Sequence, residues 1–205
     1  MLVTSPKVIV ETELDGNNIL KQIEKFGRVC YKSEDKITND SAGVFVRQII
    51  NSGHESVIEH ISISVRVICD RGVTHEIVRH RIASYSQEST RYCNYSKDKF
   101  GHNVTFVKPC YFAEDSIEYK LWQDTMCYIE NAYFRLLESG ASPQEARSVL
   151  PNSLKTEIII TMNLREWRHF LKLRTSSAAH PQMREIANMI LNSFKQKVNV
   201  IFDDL

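Results

Sequence analysis

From His60 to Cys69 the sequence alternates, with Ile61, Ile63, Val65 and Val67 on one side and Ser62, Ser64 and Arg66 on the other. Only an extended backbone sends successive side chains to opposite faces, so this stretch predicts a strand with one face in a core. Asp70 follows at once and can accept from the orphan N–H groups of a helix start, which predicts a short helix from Arg71 to about Val78. That helix delivers Arg79, His80 and Arg81, and beyond them RHRIASYSQESTRY over 79–92 is predicted as a polar loop. A loop fixed by a strand and a helix is a usual place for ligand contacts. Its arginines carry permanent charge and planar donor forks suited to phosphate, and its hydroxyls and amide offer neutral hydrogen bonds for ribose or base.

The other elements mix strands and helices without order. Strands are predicted over 7–13 and 153–162 from β-branched patterning. Helices are predicted over 18–26 with Gly27 as stop, and from a Ser41 cap to Gly53 with Val44, Phe45, Ile49 and Ile50 as the apolar face. A long helix over 116–139 carries Ile117, Leu121, Tyr128, Ala132 and Leu136 at helical spacing, with Gly140 behind it. Ser142-Pro143-Gln144-Glu145 has the form of a capping box, and Asn163 with Glu166 forms a second. A last amphipathic helix begins near Pro181 and points Met183, Ile186, Ile190 and Phe194 inward. Without regular βαβ alternation or a glycine fingerprint after a strand, the fold class is α+β and a Rossmann-type dinucleotide site is not supported.

With 42% hydrophobic and 25% charged residues, 205 residues suit one domain, 1–205, with a real core. A net charge of +1 gives no general pull toward nucleic acid or membranes, so the basic groups must act locally. Five scattered cysteines without a C-x-x-C pair argue against a disulfide frame or zinc knuckle and for a reducing compartment. No basic leader with an apolar core and no apolar run of about 20 residues is present, and a cytoplasmic location is expected.

His54 and His60, with Glu55 and Glu59 between them, invite a metal reading. Six residues apart, they do not share a helical face as the i, i+4 pair of H-E-x-x-H does, so no metal is expected, and His60 reads as a hydrogen-bonded structural histidine. Ser89 lacks a nearby base and orienting partner, which favours ligand binding over nucleophilic attack. Cys93 has no local catalytic signature and reads as a bystander.

Arg79-His80-Arg81, then seven residues, then Ser89 resembles the RHR-x7-S signature of flavin-dependent thymidylate synthases. The resemblance extends to GHESVIEH at 53–60, Ser89-Thr90-Arg91-Tyr92, EARSVLP at 145–151, MNLREW at 162–167 and LKLRT at 171–175, in the family's order, and covers roughly residues 40 to 190. It implies a sheet flanked by helices, a homotetramer with active sites between subunits, and reductive methylation of dUMP to dTMP. Methylenetetrahydrofolate would give the carbon, and FAD reduced by NADPH the hydride. Carried over residue by residue, the cofactor side comprises His54, Ser56, Glu59, Arg79, His80, Arg81, Gln87, Asn163, Arg165 and His169. The nucleotide side comprises Glu76, Ile77, Val78, Arg79, Gln87, Glu88, Ser89, Thr90, Arg91 and Arg147. Arg174 corresponds to the family's activating residue, expected at the uracil ring. Glu76 stands where glutamine is frequent, Ser86 and Gln87 replace an Asn-Glu pair, and His169 replaces an asparagine. The alternatives are a related folate- and flavin-dependent uracil methyltransferase acting on RNA, which the near-neutral charge disfavours, and a nucleotide-binding relative without turnover.

Overall fold

The computed structural model describes residues 1–205. In chain order its strands are β1 (Leu2–Thr4), β2 (Lys7–Val10), β3 (Ser62–Asp70), β4 (Ser84–Gln87), β5 (Thr105–Val107) and β6 (Lys155–Asn163). Its helices are α1 (Gly16–Val29), α2 (Ser41–Asn51), α3 (Arg71–Ile77), α4 (Ile117–Glu138), α5 (Pro143–Ala146), α6 (Leu164–Arg174) and α7 (Pro181–Phe202). β2, β3, β6 and β4 form a four-stranded sheet in that order, and β1 pairs with β5 in parallel, Leu2 opposite Thr105. The class is α+β, as the mixed pattern predicts.

The chain divides into two compact units, each assembled from three stretches: Met1–Lys7, Val67–Arg79 and Tyr85–Ile159 in the first, and Val8–Arg66, His80–Ser84 and Ile160–Leu205 in the second. The first unit has a core of Tyr95, Val104, Phe106, Met126, Tyr133, Ala146 and Leu154, with Trp122, Ile129 and Leu137 packed against it. Asp70 caps α3 by accepting from the Val73 N–H at 2.9 Å, and the Ser142 capping box is present with Glu145. The α4 register departs from the expectation. Ile117, Leu121 and Tyr128 are exposed, while Met126 and Tyr133 are buried, so of two apolar stripes on this helix the core takes the one through Trp122, Met126, Ile129 and Tyr133.

In the second unit α1 packs on α2 and α6 on α7. Trp167, Phe170, Met183, Ile186, Ile190 and Phe194 are buried there, and the Trp167 indole donates to the Ile63 carbonyl at 3.0 Å. Gly27 does not stop α1, which runs on to Val29. A Cβ on Gly27 would lie 2.7 Å from the Phe45 ring, so its lack of a side chain serves the α1–α2 approach. Ser41 is the first residue of α2 rather than its cap; its hydroxyl accepts from the Thr38 N–H at 2.9 Å and pairs with the Glu24 carboxylate at 2.8 Å. Gly53 does follow the helix end, with φ of 72°. The segment after Arg81, predicted as loop, contains β4.

Candidate functional site

Nucleotide-side candidates fall in the first unit, Arg174 excepted. Glu76 sits half-buried on α3, whereas Ile77 is fully buried and offers only backbone; its carbonyl accepts from the Tyr85 hydroxyl at 2.9 Å. Val78 and Arg79 follow, exposed, at the helix end. On β4 the Gln87 amide donates to the hydroxyls of Thr74 at 3.0 Å and Thr156 at 3.3 Å, which fixes the side chain and leaves its oxygen to accept. Glu88 is committed to the interior: one oxygen accepts from the Tyr95 hydroxyl at 3.0 Å, the other from the Lys155 ammonium at 2.9 Å. Burial, with the Glu88 charge second, raises the Tyr95 phenol far above its ordinary range.

This anchor starts a tight turn. The Ser89 carbonyl accepts from the N–H groups of Tyr92 and Cys93 at 3.1 and 2.9 Å, and its hydroxyl from the Arg91 N–H at 3.3 Å. Arg91 is exposed, its guanidinium 5.5 Å from the centre of the Tyr92 ring. Arg147, delivered by α5, donates to the buried Thr90 hydroxyl at 3.4 Å, so residues 57 apart in sequence meet at one surface. Burial and then the Glu88 charge push the Cys93 thiol up, away from a reactive thiolate.

Cofactor-side candidates fall in the second unit, Arg79 and Gln87 excepted. A cavity of about 700 Å³, within the ordinary size range of ligand sites, is lined by Glu59, Asn163, Arg165 and His169 together with Glu166 and Lys172. Glu59 comes from the turn after α2, the others from the end of β6 and from α6. Glu59 pairs with Arg165. The Asn163 side chain caps α6 by accepting from the Glu166 N–H at 2.9 Å. His54, Ser56 and Arg81 are exposed and do not line this cavity. His60 is exposed against Phe26, ring centres 5.2 Å apart, a ring contact in place of the expected hydrogen bond.

His80 is buried and joins two α6 residues. Its Nδ1 lies 3.3 Å from the Glu166 carboxylate, and its Nε2 accepts from the Arg174 Nε–H at 3.1 Å. Phe170 and His169 set their rings edge-on to it, with centres 4.8 and 5.7 Å away. Burial chiefly, and then Arg174 and His169, lower the affinity of His80 for a proton; Glu166 opposes them without prevailing. The second expected capping box is therefore half made, since the Glu166 carboxylate turns to His80 and not to the cap.

Ligand atoms of His80, Glu166 and His169 lie within 4.8 Å of one another, close enough to hold a cation. Arg174 already donates to His80 and adds positive charge there, which favours a hydrogen-bonded cluster over a metal centre. The lining carries the cations Arg165, Arg168 and Lys172 beside the carboxylates Glu55, Glu59, Glu166 and Asp204, and the exposed His169 ring offers a flat face. Arg168 and Lys172 were not singled out from sequence, and Glu166 only as the third residue of a capping box. Arg168 is structural, bonded twice at 2.7 Å to Asp204.

The family model described as thymidylate synthase complementing protein matches residues 12–199. The flavin-dependent thymidylate synthase of Pyrococcus furiosus is 34% identical over 179 residues, covering 87% of this chain and 72% of that protein. Its counterpart from Geobacter sulfurreducens is 35% identical over 184 residues, covering 86% and 78%. In fold, the chain is similar to the UMP/dUMP methylase PolB from Streptomyces cacaoi bound with 5-Br dUMP, with a TM-score of 0.81 at 24% identity over 99% of this chain and 96% of that one. It is also similar to thymidylate synthase X from Helicobacter pylori with FAD and dUMP, with a TM-score of 0.78 at 22% identity over 97% and 98%.

Proposed function

This chain belongs to the flavin-dependent thymidylate synthase family, and from that membership we propose how its residues divide the work of making dTMP. The reaction is the reductive methylation of dUMP: methylenetetrahydrofolate gives the carbon and leaves as tetrahydrofolate. FAD, reduced by NADPH, supplies the hydride that completes the methyl group. The protein's own duties are to bind, orient and stabilise charge.

The observation that carries the assignment of sites is the gathering of Glu59, Asn163, Arg165 and His169 around one cavity, although more than a hundred residues of chain separate Glu59 from Arg165. These residues, with His54, Ser56, Arg81 and, from beneath the surface, the buried His80, hold FAD: cations meet the phosphates and the exposed imidazoles of His54 and His169 the ring system. Ser89, Thr90, Arg91 and Arg147 hold the nucleotide, with the Gln87 amide oxygen accepting from it and Glu88 acting by anchoring the turn. Ile77 contributes through its backbone, Val78 and Arg79 through their exposed position at the end of α3. Arg174 faces the uracil edge, where a guanidinium favours the ionised pyrimidine and makes C5 more nucleophilic.

We further propose that one flavin-dependent thymidylate synthase-like domain spans 1–205, in keeping with the family match over 12–199. A homotetramer with sites between subunits is supported by the exposed apolar stripe of Ile117, Leu121 and Tyr128 on α4. No helix is long and apolar enough to cross a membrane, and all five cysteines are free, which suits the cytoplasm. The test is anaerobic. The purified chain is reconstituted with FAD, reduced with NADPH, and given dUMP with methylenetetrahydrofolate; return of the oxidised flavin spectrum together with dTMP is expected. Reoxidation without dTMP would overturn the assignment.

A further inference from the structure

Glu166 occupies the third position of α6, behind an asparagine cap, where a glutamate ordinarily reaches back to the cap's own N–H. Here the carboxylate bonds instead to His80, 86 residues away in sequence. The far side of the same imidazole receives the Nε–H of Arg174. An arginine nitrogen can only donate, so His80 Nε2 must present a lone pair and the ring proton of the neutral imidazole must sit on Nδ1, the nitrogen facing Glu166. Carboxylate, imidazole and guanidinium therefore form one directional chain, Arg174 to His80 to Glu166, in which each donor meets an acceptor.

The chain is held on all sides. Glu166 and His80 are both buried, and the Phe170 and His169 rings close on the imidazole. The bond through Nε helps to set the plane of the Arg174 guanidinium. Removing the carboxylate takes the acceptor from the Nδ1–H tautomer, which then keeps only part of the support that Glu166 and Arg174 give it together, and the balance shifts toward Nε2–H. The other tautomer would set an imidazole N–H against the arginine N–H, and the guanidinium would have to swing away.

We propose that Glu166 is a positioning residue for Arg174, acting through the tautomer of His80. The proposal deepens the site reading above and rests on Arg174 being the group that faces the uracil. A buried carboxylate that holds a histidine in one tautomer for its neighbour is established chemistry in hydrolase triads, and misplacement of a reacting group by about 1 Å costs on the order of a hundredfold in rate.

Two measurements test it. In the full chain labelled with ¹⁵N at its histidine rings, without flavin or substrate, long-range ¹H–¹⁵N spectra at pH 7.5 should show His80 as the Nδ1–H tautomer in the wild type. Glu166→Ala should move it toward Nε2–H. Glu166→Gln, whose amide oxygen can still accept, should keep it. In the FAD-reconstituted enzyme, Glu166→Ala should lower kcat for dTMP formation about a hundredfold with KM for dUMP changed far less, and Glu166→Gln should recover most of the loss. A wild-type Nε2–H tautomer would overturn the proposal whether or not Glu166→Ala folds. So would a Glu166→Ala enzyme within threefold of wild type alongside an inactive Arg174→Ala. Near-wild-type turnover by Arg174→Ala would instead locate the fault in the reading of Arg174, because the tautomer spectra do not depend on it.

Discussion

Arg168 and Asp204 meet through two parallel hydrogen bonds of 2.7 Å, a bidentate pair that ties the end of the chain to α6. Arg168 is buried and also reaches Glu55 at 3.2 Å and the Ile201 carbonyl, whereas the Asp204 side chain is 49% exposed. Hydrogen bonding from Arg168 holds the Asp204 carboxyl below its ordinary value of 3.8. The native state thus resists protonation more than the unfolded chain does, and the stabilisation present above pH 3.8 is lost as pH falls below it. Asp204→Asn should lower stability by about 1–2 kcal/mol at pH 7, between the values for exposed and buried pairs, with a smaller difference at pH 3. Urea unfolding at both pH values checks this, and an equal difference at the two would exclude the pair as its source.

Gly27 faces the Phe45 ring in the α1–α2 contact, and a methyl group there would also come within 3.0 Å of Ile49. Alanine gains up to about 1 kcal/mol in helix propensity, but the ring must move, and the Arg28 guanidinium stacked 4.5 Å from its centre moves with it. A net loss of about 1–2 kcal/mol is expected for Gly27→Ala, read from thermal unfolding, while Gly43→Ala, with open space at its Cβ, should show none of it.

What the sequence discloses is what is local. The alternation through Ile63, Val65, Val67 and Cys69, the Asp70 cap and the Ser142–Glu145 box depend on neighbours within a few residues, and all three appear in the structure. β4 was not legible because Ser-Tyr-Ser-Gln, at one end of the sheet order, carries no apolar alternation. On α4 the two apolar stripes are equally good helical patterns, and only tertiary packing chooses between them. Glu166 read as a capping-box residue and Arg168 drew no reading at all, because their partners, His80 and Asp204, lie 86 and 36 residues away. The MNLREW block, marked through resemblance, supplies Asn163, Arg165 and Glu166 to the cavity lining, whereas Arg79, His80 and Arg81 are not part of it; no spacing rule predicted that Glu88 would be consumed by Tyr95 and Lys155.

Glu88 and Arg91 should accordingly separate by phenotype. Glu88→Ala leaves the Lys155 charge and Tyr95 hydroxyl without their common acceptor and frees the Ser89 turn, so thermal stability should fall by about 2–3 kcal/mol along with a raised KM for dUMP. Arg91→Ala removes an exposed cation and should raise KM with stability unchanged within about 0.5 kcal/mol. If Glu88→Ala raised KM without loss of stability, Glu88 would belong with the groups that touch the nucleotide.

The exposed α4 stripe makes a prediction about assembly. Leu121 and Tyr128 are 63% and 75% exposed on a helix whose opposite face fills the core of its unit. Leu121→Glu together with Tyr128→Glu places charge on the stripe without touching that core. Light scattering should show the mass falling from an oligomer toward the 23.7 kDa of one chain, with circular dichroism unchanged. An unaltered mass would exclude the α4 stripe as a subunit contact.

His80 predicts a pH dependence of opposite origin to that of Asp204. Burial lowers its proton affinity below the ordinary 6.5, the nearby Arg174 and His169 add to this, and Glu166 opposes them. Below pH 6.5 the unfolded chain takes up a proton that the native site still refuses, so ν_U exceeds ν_N and stability rises with pH across that window. Read downward, the contribution is complete above pH 6.5 and is lost as pH falls toward the native value. His80→Asn removes the group from both states. Between pH 6.5 and 5 the melting temperature of the wild type should therefore fall more steeply than that of His80→Asn, and the two slopes should agree above pH 7. Parallel curves throughout would mean that His80 titrates alike folded and unfolded, and the buried neutral imidazole would have to be abandoned.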